Sequence, residues 1–287
     1  MLEDFLDQAF ELLDSAVIDY EIVFVNDGSS DRTGIIADQY AKKNPRLKVI
    51  HHSSNKNVGE ACRTAIHSAQ KEFLFWQTVD WAYDLKNLRI FLELLRHFDV
   101  VQGIRPVPTR PLSSVPLIRS FYRLPSRSDN LYKAIVSLGN YYMLRLLYGV
   151  PFHDFQNVTF YPSKLIQSIA LTGSSSFINP QCLFKTYKKG VRYIEVPIHF
   201  ISRTTGIGKG TKITSIMKSI KEILLNWLSW GWKIRVQNLT MKDKQILRVA
   251  EPFFLEEDVL HLIAPLLSEY KYLYTKNTID DSLEAKS

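Results

Sequence analysis

The chain has 287 residues, of which 46% are hydrophobic, and it carries a formal net charge of +7 and two cysteines. A chain of this length and apolar content can bury a full core, which excludes a disordered or fibrous protein. Cys62 and Cys182 are too few for a disulfide framework or a cysteine-based metal site, and they favour a reducing compartment such as the cytoplasm.

Leader sequences and membrane-spanning segments are not predicted. The first 16 residues have the pattern of an amphipathic helix rather than a basic and apolar leader. No uncharged apolar run reaches the roughly 18 residues needed to cross a bilayer. We therefore expect a cytoplasmic protein, and any membrane contact is expected to be peripheral, at the inner face.

Positive charge is concentrated in one segment. Between residues 105 and 145 there is one acid, Asp129, and there are seven bases: Arg105, Arg110, Arg119, Arg123, Arg127, Lys133 and Arg145. This distribution suits phosphorylated ligands or anionic lipid, and no nucleic-acid-binding motif accompanies it. We therefore expect no nucleic acid partner.

Apolar periodicity alternates between strand and helix up to residue 104. After the first helix it predicts strands at 18–25, 46–52, 72–78 and 100–104, and helices at 33–43, 57–70 and 85–98. Strands that alternate with helices of about a dozen residues predict crossover connections and a mainly parallel sheet. The predicted fold class is α/β, with a doubly wound, Rossmann-like sheet flanked by helices.

The segment 106–130 is rich in Pro, Ser and Arg and is too long for an ordinary connection. It predicts a functional loop, with a plain solvated loop as the alternative. Further along we predict a helix at 131–148, a short strand near 155–161, helices from 162 and at 180–188, a strand at 192–201 and a glycine-rich loop at 204–211. From residue 241 the pattern indicates two short helices and a polar tail, so 241–287 is predicted to extend a domain that covers 1–212.

Residues 213–240 form a separate amphipathic segment. Its apolar residues fall on one predicted helical face: Ile213, Ile216, Met217, Ile220, Ile223, Leu224, Trp227 and Leu228. Such a face normally packs on its own domain. The alternative is an interfacial helix on anionic lipid, with Trp227 and Trp230 in contact with the bilayer and lysines near its head groups.

The first polar motif follows the first predicted strand, in the stretch VFVNDGSSDRT that begins at residue 23. Asn26, Asp27 and Gly28 lie at the carboxyl end of that strand, where open α/β sheets bind nucleotides. Asp27 can accept hydrogen bonds from a ribose or base, Gly28 permits close approach of the backbone, and Asp31 can cap the next helix. A tight turn without a ligand is the alternative.

Two further motifs are expected at the same edge of the sheet. Lys56, Asn57 and Gly59 begin the following helix, whose free amides and dipole can face a phosphate. The third predicted strand leads to Asp80 and Asp84, which can hold a divalent cation, Mg²⁺ or Mn²⁺, against a diphosphate. The alternatives are a plain helix start and two acids that cap a helix.

Six segments together resemble a known family. They are VNDGSSDRT, NKNVGEACRTAIHSA, FLFWQTVDWAYD, VVQGIR, DFQNVTFYPSKLI and YIEVPIHFISRTTGIGKGT. Their order, between about residues 18 and 225, resembles glycosyltransferase family 2, which has the GT-A fold. The segments are most similar to the dolichol- or polyprenyl-phosphate mannose synthase branch of that family.

The resemblance implies roles for individual residues. Asp27 is expected to contact the nucleoside of a nucleoside diphosphate sugar, Asp80 to belong to the metal-binding acidic motif, and Arg105 to lie in the active-site wall. Arg203 and Lys209, in the glycine-rich loop, are expected to contact phosphates of the donor or acceptor.

Three departures from the family pattern matter. The family begins with an apolar strand that ends in a Pro-x-x-Asn-Glu type of segment, whereas Met1 lies in the helix that should follow it. This predicts a truncated or misassigned start and one open wall of the nucleotide site.

The family's Asp-x-Asp is Thr78-Val79-Asp80 here, which weakens metal use, and Asp84 is the candidate replacement. Asn157-Val158-Thr159 stands where Ser-Gly-Phe usually follows the central acid, Asp154, so the acceptor geometry is expected to differ.

The stretch Phe177-Ile178-Asn179-Pro180-Gln181 holds no carboxylate where many inverting members of the family have a general base. An acceptor that is already an anion, such as a lipid phosphate, needs no base. Asp154 and Glu195 remain candidates for one. The favoured hypothesis is inverting transfer to a polyprenyl phosphate, with catalysis by Asp80, Arg105 and Arg203 and with Arg127 on a phosphate.

Two alternatives stay open. One is transfer to a hydroxyl of a cell-surface glycan precursor, which keeps the enzyme class and changes the acceptor. The other is a catalytically silent protein that binds nucleotide sugars, motivated by Thr78 and by the missing first strand.

Overall fold

The computed structural model describes residues 1–79, 81, 83–86, 88–104, 131–198, 201, 213–240 and 246–248. Its helices are α1 (Leu2–Ala16), α2 (Thr33–Lys43), α3 (Val58–Ser68), α4 (Leu88–Leu94), α5 (Leu131–Tyr148), α6 (Ser163–Gln167), α7 (Ile178–Tyr187), α8 (Ile213–Asn226) and α9 (Trp232–Thr240). Its strands are β1 (Ile22–Asn26), β2 (Leu47–His51), β3 (Phe73–Leu74), β4 (Val100–Ile104), β5 (Thr159–Pro162), β6 (Tyr193–Pro197) and β7 (Ile246–Arg248). One π-helical turn, Trp227–Gly231, connects α8 to α9.

The strands form two sheets in this part of the chain. β1 and β2 are a parallel pair, with Ile22 opposite Leu47 and Asn26 opposite His51. The second sheet has the order β3-β5-β4-β6-β7, in which β4, β6 and β7 are parallel and β5 is antiparallel to both of its neighbours. The predicted α/β class is confirmed, and β5 is the strand that departs from a parallel arrangement.

Helix α1 contacts the cores of both sheets. Leu6 is buried in a cluster with side chains from α2, β1 and β2, and Leu12 packs against the cluster beneath β4 and β6. Next to this helix, Glu21 Oε1 accepts a hydrogen bond from the backbone N–H of Lys71 at 3.1 Å. The start of β1 is therefore tied to the segment that leads into β3.

The largest core cluster is aromatic and includes side chains from α5 and α7. Tyr148 stacks on Phe184 with 4.3 Å between ring centroids. Cys62 and Cys182 are free thiols within the same cluster. Burial raises the pKa of the Cys62 thiol to about 12 and that of Cys182 well above its ordinary value. Both cysteines are therefore packing residues, because a buried thiol with a raised pKa is unreactive.

Two elements differ from the sequence prediction. The strand predicted at 72–78 pairs only at its first residues, because β5 pairs with β3 through Tyr161 and Pro162 and with β4 through Thr159 and Phe160. Residues 246–248, predicted to be helical, form β7, because the edge of β6 supplies backbone hydrogen-bond partners. The rest of 241–287 and the loops predicted at 106–130 and 204–211 lie outside the described residues.

The inward face of α8 and the π turn is held to the domain. Ile223 is buried, and Trp227 Nε1 donates a hydrogen bond to the carbonyl of Leu147 at 2.8 Å. Trp230 Nε1 donates to Asn226 Oδ1 at 2.8 Å, and both tryptophans pack against the aromatic cluster. These contacts support the expectation that this face packs on its own domain, and bilayer contact by the two tryptophans stays a prediction. Met217, Leu224 and Leu228 of the predicted apolar face are exposed, so the domain covers only part of that face.

Glu222 fixes α8 to the loop that precedes α7. Its Oε1 accepts the backbone N–H of Ser174 at 3.0 Å, and its Oε2 accepts the N–H of Ser175 at 3.1 Å and the Ser175 hydroxyl at 2.5 Å. Burial by itself would raise the pKa of Glu222. The three hydrogen bonds, together with Lys218, outweigh that effect and lower the pKa below its ordinary value.

We expect Glu222→Gln to lower the free energy of unfolding by about 1 kcal/mol at neutral pH, since charge-assisted hydrogen bonds are lost. A folded-state pKa below the unfolded value means that the carboxylate stabilises the fold above its ordinary pKa of 4.5. That contribution disappears as the pH falls through the folded-state pKa. Thermal unfolding of wild type and variant should therefore differ at neutral pH and converge in acid.

The matched control is Glu11→Gln, because Glu11 is exposed and makes no hydrogen bond or ion pair within the described ranges. Its unfolding temperature should follow the wild type at every pH. An equal difference between wild type and Glu222→Gln across the acid range would contradict the assignment.

Candidate active site

The carboxyl ends of β1 and β2 bring four polar side chains together. Asn26, the last residue of β1, is buried, and its Nδ2 lies 3.1 Å from Nδ1 of His51 on β2. Its Oδ1 accepts the backbone N–H of Ser29 at 3.1 Å. Asn26 therefore fixes the turn that follows β1, which places Asp27 at the edge of the sheet.

Asp27 is oriented through one of its two carboxylate oxygens. Oδ1 lies 2.7 Å from Nδ1 of His52 and accepts the backbone N–H of Lys56 at 2.9 Å. The Asp27 side chain is 17% exposed, and its Oδ2 has no hydrogen-bond partner among the described residues. The second oxygen is thus available to a ligand while the first holds the carboxylate in place.

His52 is a member of this site that the sequence analysis missed. Its side chain is 7% exposed, and its Nε2 lies 2.9 Å from the Thr64 hydroxyl of α3. The imidazole therefore links Asp27 to α3. His52 could have been predicted from its position just beyond β2, because the carboxyl ends of neighbouring parallel strands meet at one edge of a sheet.

Gly28 and Asp31 complete the turn between β1 and α2. Gly28 has a φ of +67°, and a Cβ at that position would lie 2.6 Å from the backbone nitrogen of Asn55. Only glycine fits both the backbone conformation and the close contact. Asp31 Oδ1 accepts the N–H of Thr33, the first residue of α2, at 3.0 Å, although the N-cap position itself is Arg32.

The start of α3 differs from the prediction at one position. Asn57 has a φ of +73°, which is unusual for a non-glycine residue, and Lys56 beside it is exposed. The N–H of Gly59, predicted to face a phosphate, donates to the carbonyl of Ser174 at 3.0 Å. A Cβ on Gly59 would lie 2.7 Å from the carbonyl carbon of Ser174. This glycine therefore permits close packing of two backbones.

Asp154 and Glu195 are held inside the protein. Asp154 is 1% exposed, and its Oδ1 accepts the backbone N–H groups of Phe155 at 2.8 Å and Gln156 at 3.2 Å. Glu195 is fully buried. Its Oε1 accepts the N–H of His153 at 2.7 Å, and its Oε2 lies 3.4 Å from Nδ1 of the same histidine. Both carboxylates bind donors of the protein and hold the segment 153–156 in position.

Two buried amide atoms lie close to this segment. Gln102 Nε2 donates to the carbonyl of Asp154 at 2.7 Å, and Asn157 Oδ1 accepts the N–H of Val158 at 2.7 Å. Gln102 Oε1 and Asn157 Nδ2 are buried without a hydrogen-bond partner in the described part of the chain. Buried polar atoms without a partner are uncommon in folded proteins.

Only some of the candidate metal ligands lie among the described residues. Asp84 is half-buried, and its Oδ1 accepts the N–H of Lys86 at 3.0 Å. Within the described ranges there is no group of three or more His, Cys, Asp or Glu side chains that suits a metal ion. Carboxylate and hydroxyl oxygens, as at Asp80, Asp84 and Thr78, are hard ligands of the kind that Mg²⁺ and Mn²⁺ prefer. The predicted site residues outside the described residues are Asp80, Arg105, Arg127, Arg203 and Lys209.

Comparison with known proteins gives consistent results. Residues 2–147 match the family Glycosyl transferase family 2. The chain is 26% identical over 234 residues to an undecaprenyl-phosphate mannosyltransferase from Micrococcus luteus, covering 79% of this chain and 88% of that protein. It is 25% identical over 224 residues to a polyprenol monophosphomannose synthase from Mycolicibacterium smegmatis, covering 75% of this chain and 77% of that protein.

A solved structure shares the fold. It is glucosyl-3-phosphoglycerate synthase from Mycobacterium tuberculosis in complex with Mn²⁺, uridine diphosphate and glucosyl-3-phosphoglycerate. The TM-score is 0.51 at 13% identity, over 79% of this chain and 76% of that one. The family match, the α/β sheet and this likeness lead to one conclusion: the chain belongs to glycosyltransferase family 2 and is a glycosyltransferase with the GT-A fold.

Proposed function

We propose that this glycosyltransferase moves a sugar from a nucleoside diphosphate sugar to the phosphate of a polyprenyl phosphate, with inversion at the anomeric carbon. The observation that carries the proposal is the pair of relatives named for this class of acceptor, which align with three quarters or more of the chain. Mannose is the first sugar to test, because both relatives are named as mannose-transferring enzymes.

In this proposal the edge formed by β1 and β2 binds the donor nucleoside. Asp27 offers Oδ2 to the ribose or base, and His52 and the Lys56 N–H keep the carboxylate oriented. Gly28 lets the donor approach the backbone, and the Lys56 side chain with Asn57 contacts the diphosphate at the start of α3. Asn26 and Asp31 shape the turn and need not touch the ligand.

The transfer itself is an in-line displacement. An oxygen of the acceptor phosphate forms a bond to the anomeric carbon, while the bond from that carbon to the donor diphosphate breaks and the diphosphate leaves with the electron pair. Arg105, Arg127, Arg203 and Lys209 are proposed to bind the phosphates, so that catalysis consists of positioning and charge stabilisation. Asp80 and Asp84 would hold a divalent cation, which would act as a Lewis acid on the leaving diphosphate.

An anionic acceptor agrees with the burial and the hydrogen bonds of the two carboxylates that could have served as a general base. A sugar hydroxyl needs a general base, whereas a phosphate monoester is already ionised. Asp154 and Glu195, the two candidate bases, are buried and accept hydrogen bonds from backbone N–H groups. At the start of α7, Asn179 accepts a hydrogen bond from Trp76 Nε1 at 2.9 Å, and an amide cannot act as a base. These contacts support a phosphate acceptor over a glycan hydroxyl.

The proposed acceptor also implies where in the cell the enzyme acts. A polyprenyl chain resides in a bilayer, so the enzyme must reach the membrane surface. None of the helices in the described ranges is long and apolar enough to cross a membrane. We therefore propose peripheral contact at the inner face, where the phosphate of the acceptor is accessible.

Incubation with a panel of GDP and UDP sugars, polyprenyl phosphate and Mg²⁺ or Mn²⁺ should yield a sugar phospholipid that extracts into organic solvent. The reaction should proceed with one donor class and should stop when the lipid phosphate is omitted. A folded protein that gives no glycolipid with any donor would contradict the proposal. Product on a carbohydrate acceptor without lipid would indicate the glycan alternative, and nucleotide binding without turnover would indicate a silent binder.

Asp27→Asn should weaken the binding of the donor's nucleoside diphosphate by about tenfold, or ~1.4 kcal/mol, because the charged acceptor oxygen at the edge of the sheet is lost. His52→Ala should raise the KM for the donor by a smaller factor and should change kcat less, since it disturbs only the orientation of Asp27. Isothermal titration calorimetry and initial rates measure both effects. The matched control is His67→Ala, an exposed histidine of α3. Unchanged nucleotide affinity in folded Asp27→Asn would refute the assignment.

A further inference from the structure

The outward side of α8, the π turn and α9 carries a continuous apolar stripe. Leu228 is 64% exposed, and five further apolar side chains on the same side are exposed: Ile213, Met217, Leu225, Trp232 and Val236. They recur every three to eight residues from 213 to 236, which corresponds to roughly 35 Å of helix at 1.5 Å per residue. A soluble surface rarely exposes an apolar stripe of this length unless it binds something.

This stripe is not the face that packs on the domain. The inward side has its own contacts, through Ile223, Trp227 and Trp230. The segment therefore has two apolar sides, and core packing accounts for only one of them. Packing on the domain does not account for the exposed leucines and Trp232.

A neighbouring helix also exposes apolar side chains. Helix α5 packs against α9 and the π turn, and it exposes Ile135, Tyr142 and Leu146. It contains no aspartate or glutamate in 18 residues.

The charges on this surface have one sign. Lys218, Lys221 and Lys233 are exposed along the same helical segment. The only acid between residues 213 and 240 is Glu222, and it binds Ser174 and Ser175 on the inward side. Lysines beside exposed apolar residues are the pattern of a helix that lies in the interface of an anionic bilayer, with its apolar side chains among the acyl chains.

We infer that the exposed faces of α8, the π turn and α9 form a docking surface for an anionic lipid bilayer. This inference deepens the proposed function, because a polyprenyl phosphate is reached from a membrane, and it names the surface that makes the contact. It assigns the contact to the outward side of the segment rather than to Trp227 and Trp230, which pack against the domain.

Co-sedimentation of the full chain with vesicles tests the inference without donor or acceptor. We compare vesicles of phosphatidylcholine with vesicles of equal parts phosphatidylcholine and phosphatidylglycerol. The wild type should bind the anionic vesicles, and added salt should weaken binding. The triple variant Leu225→Ser, Leu228→Ser, Trp232→Ser should bind at least tenfold more weakly. The pair Lys218→Gln, Lys221→Gln should lose binding to anionic vesicles selectively.

The matched control is Ile35→Ser on α2, because Ile35 is 57% exposed and lies away from this surface. It should bind vesicles like the wild type, and circular dichroism should show that every variant is folded. The inference would be overturned if the wild type did not bind anionic vesicles. It would also be overturned if the folded triple variant bound them as well as the wild type does. A concentration-dependent dimer that the triple variant abolishes would also overturn it, because the surface would then join two copies.

Turnover with a short, water-soluble polyprenyl phosphate separates this inference from the proposed function. If vesicle binding fails while the soluble acceptor is still glycosylated, the docking surface is wrong and the reaction stands. If the protein binds vesicles but glycosylates no acceptor, the proposed reaction is wrong and the docking surface stands.

Discussion

The parallel pairing of β1 and β2 is the constraint on which the donor site depends. Because the two strands run in the same direction, their carboxyl ends meet, and residues 25 positions apart in sequence become neighbours. Asp27 and His52 then form a 2.7 Å contact, and the His52 ring continues to Thr64 of α3. The carboxylate that is proposed to receive the nucleoside is thus held by a strand, a second strand and a helix, which is how a preorganised site avoids the cost of ordering a loop.

Two hydrogen bonds through Ser174 link this edge to helix α8. Gly59 at the start of α3 donates to the carbonyl of Ser174, and Glu222 of α8 accepts the N–H of the same residue. Helix α8 is therefore fixed with respect to α3 by a few charge-assisted hydrogen bonds. If its exposed side lies on a bilayer, these contacts set the height and angle of the donor site above the membrane surface.

Much of the fold could be predicted from local sequence patterns, but less of the candidate site could. Helices α2 and α5 and strand β4 begin and end where apolar periodicity places them, because their bounds are set within a few residues of sequence. His52 was missed and Gly59 was misinterpreted because their partners, Asp27 and Ser174, are distant in the chain. The sequence left open whether Trp227 and Trp230 pack on the domain or meet a bilayer, since periodicity identifies an apolar face but does not say what covers it.

The central claim is that the edge formed by β1, β2 and the start of α3 binds the donor nucleotide. Hydrogen–deuterium exchange of the full chain with and without UDP and GDP measures this most directly, because amides that contact a ligand, or that it orders, exchange more slowly. Slower exchange at residues 26–34 and 52–61, with little change in α5 and α9, is the predicted result. Nucleotide binding that leaves both segments unchanged and protects a different region would contradict the account.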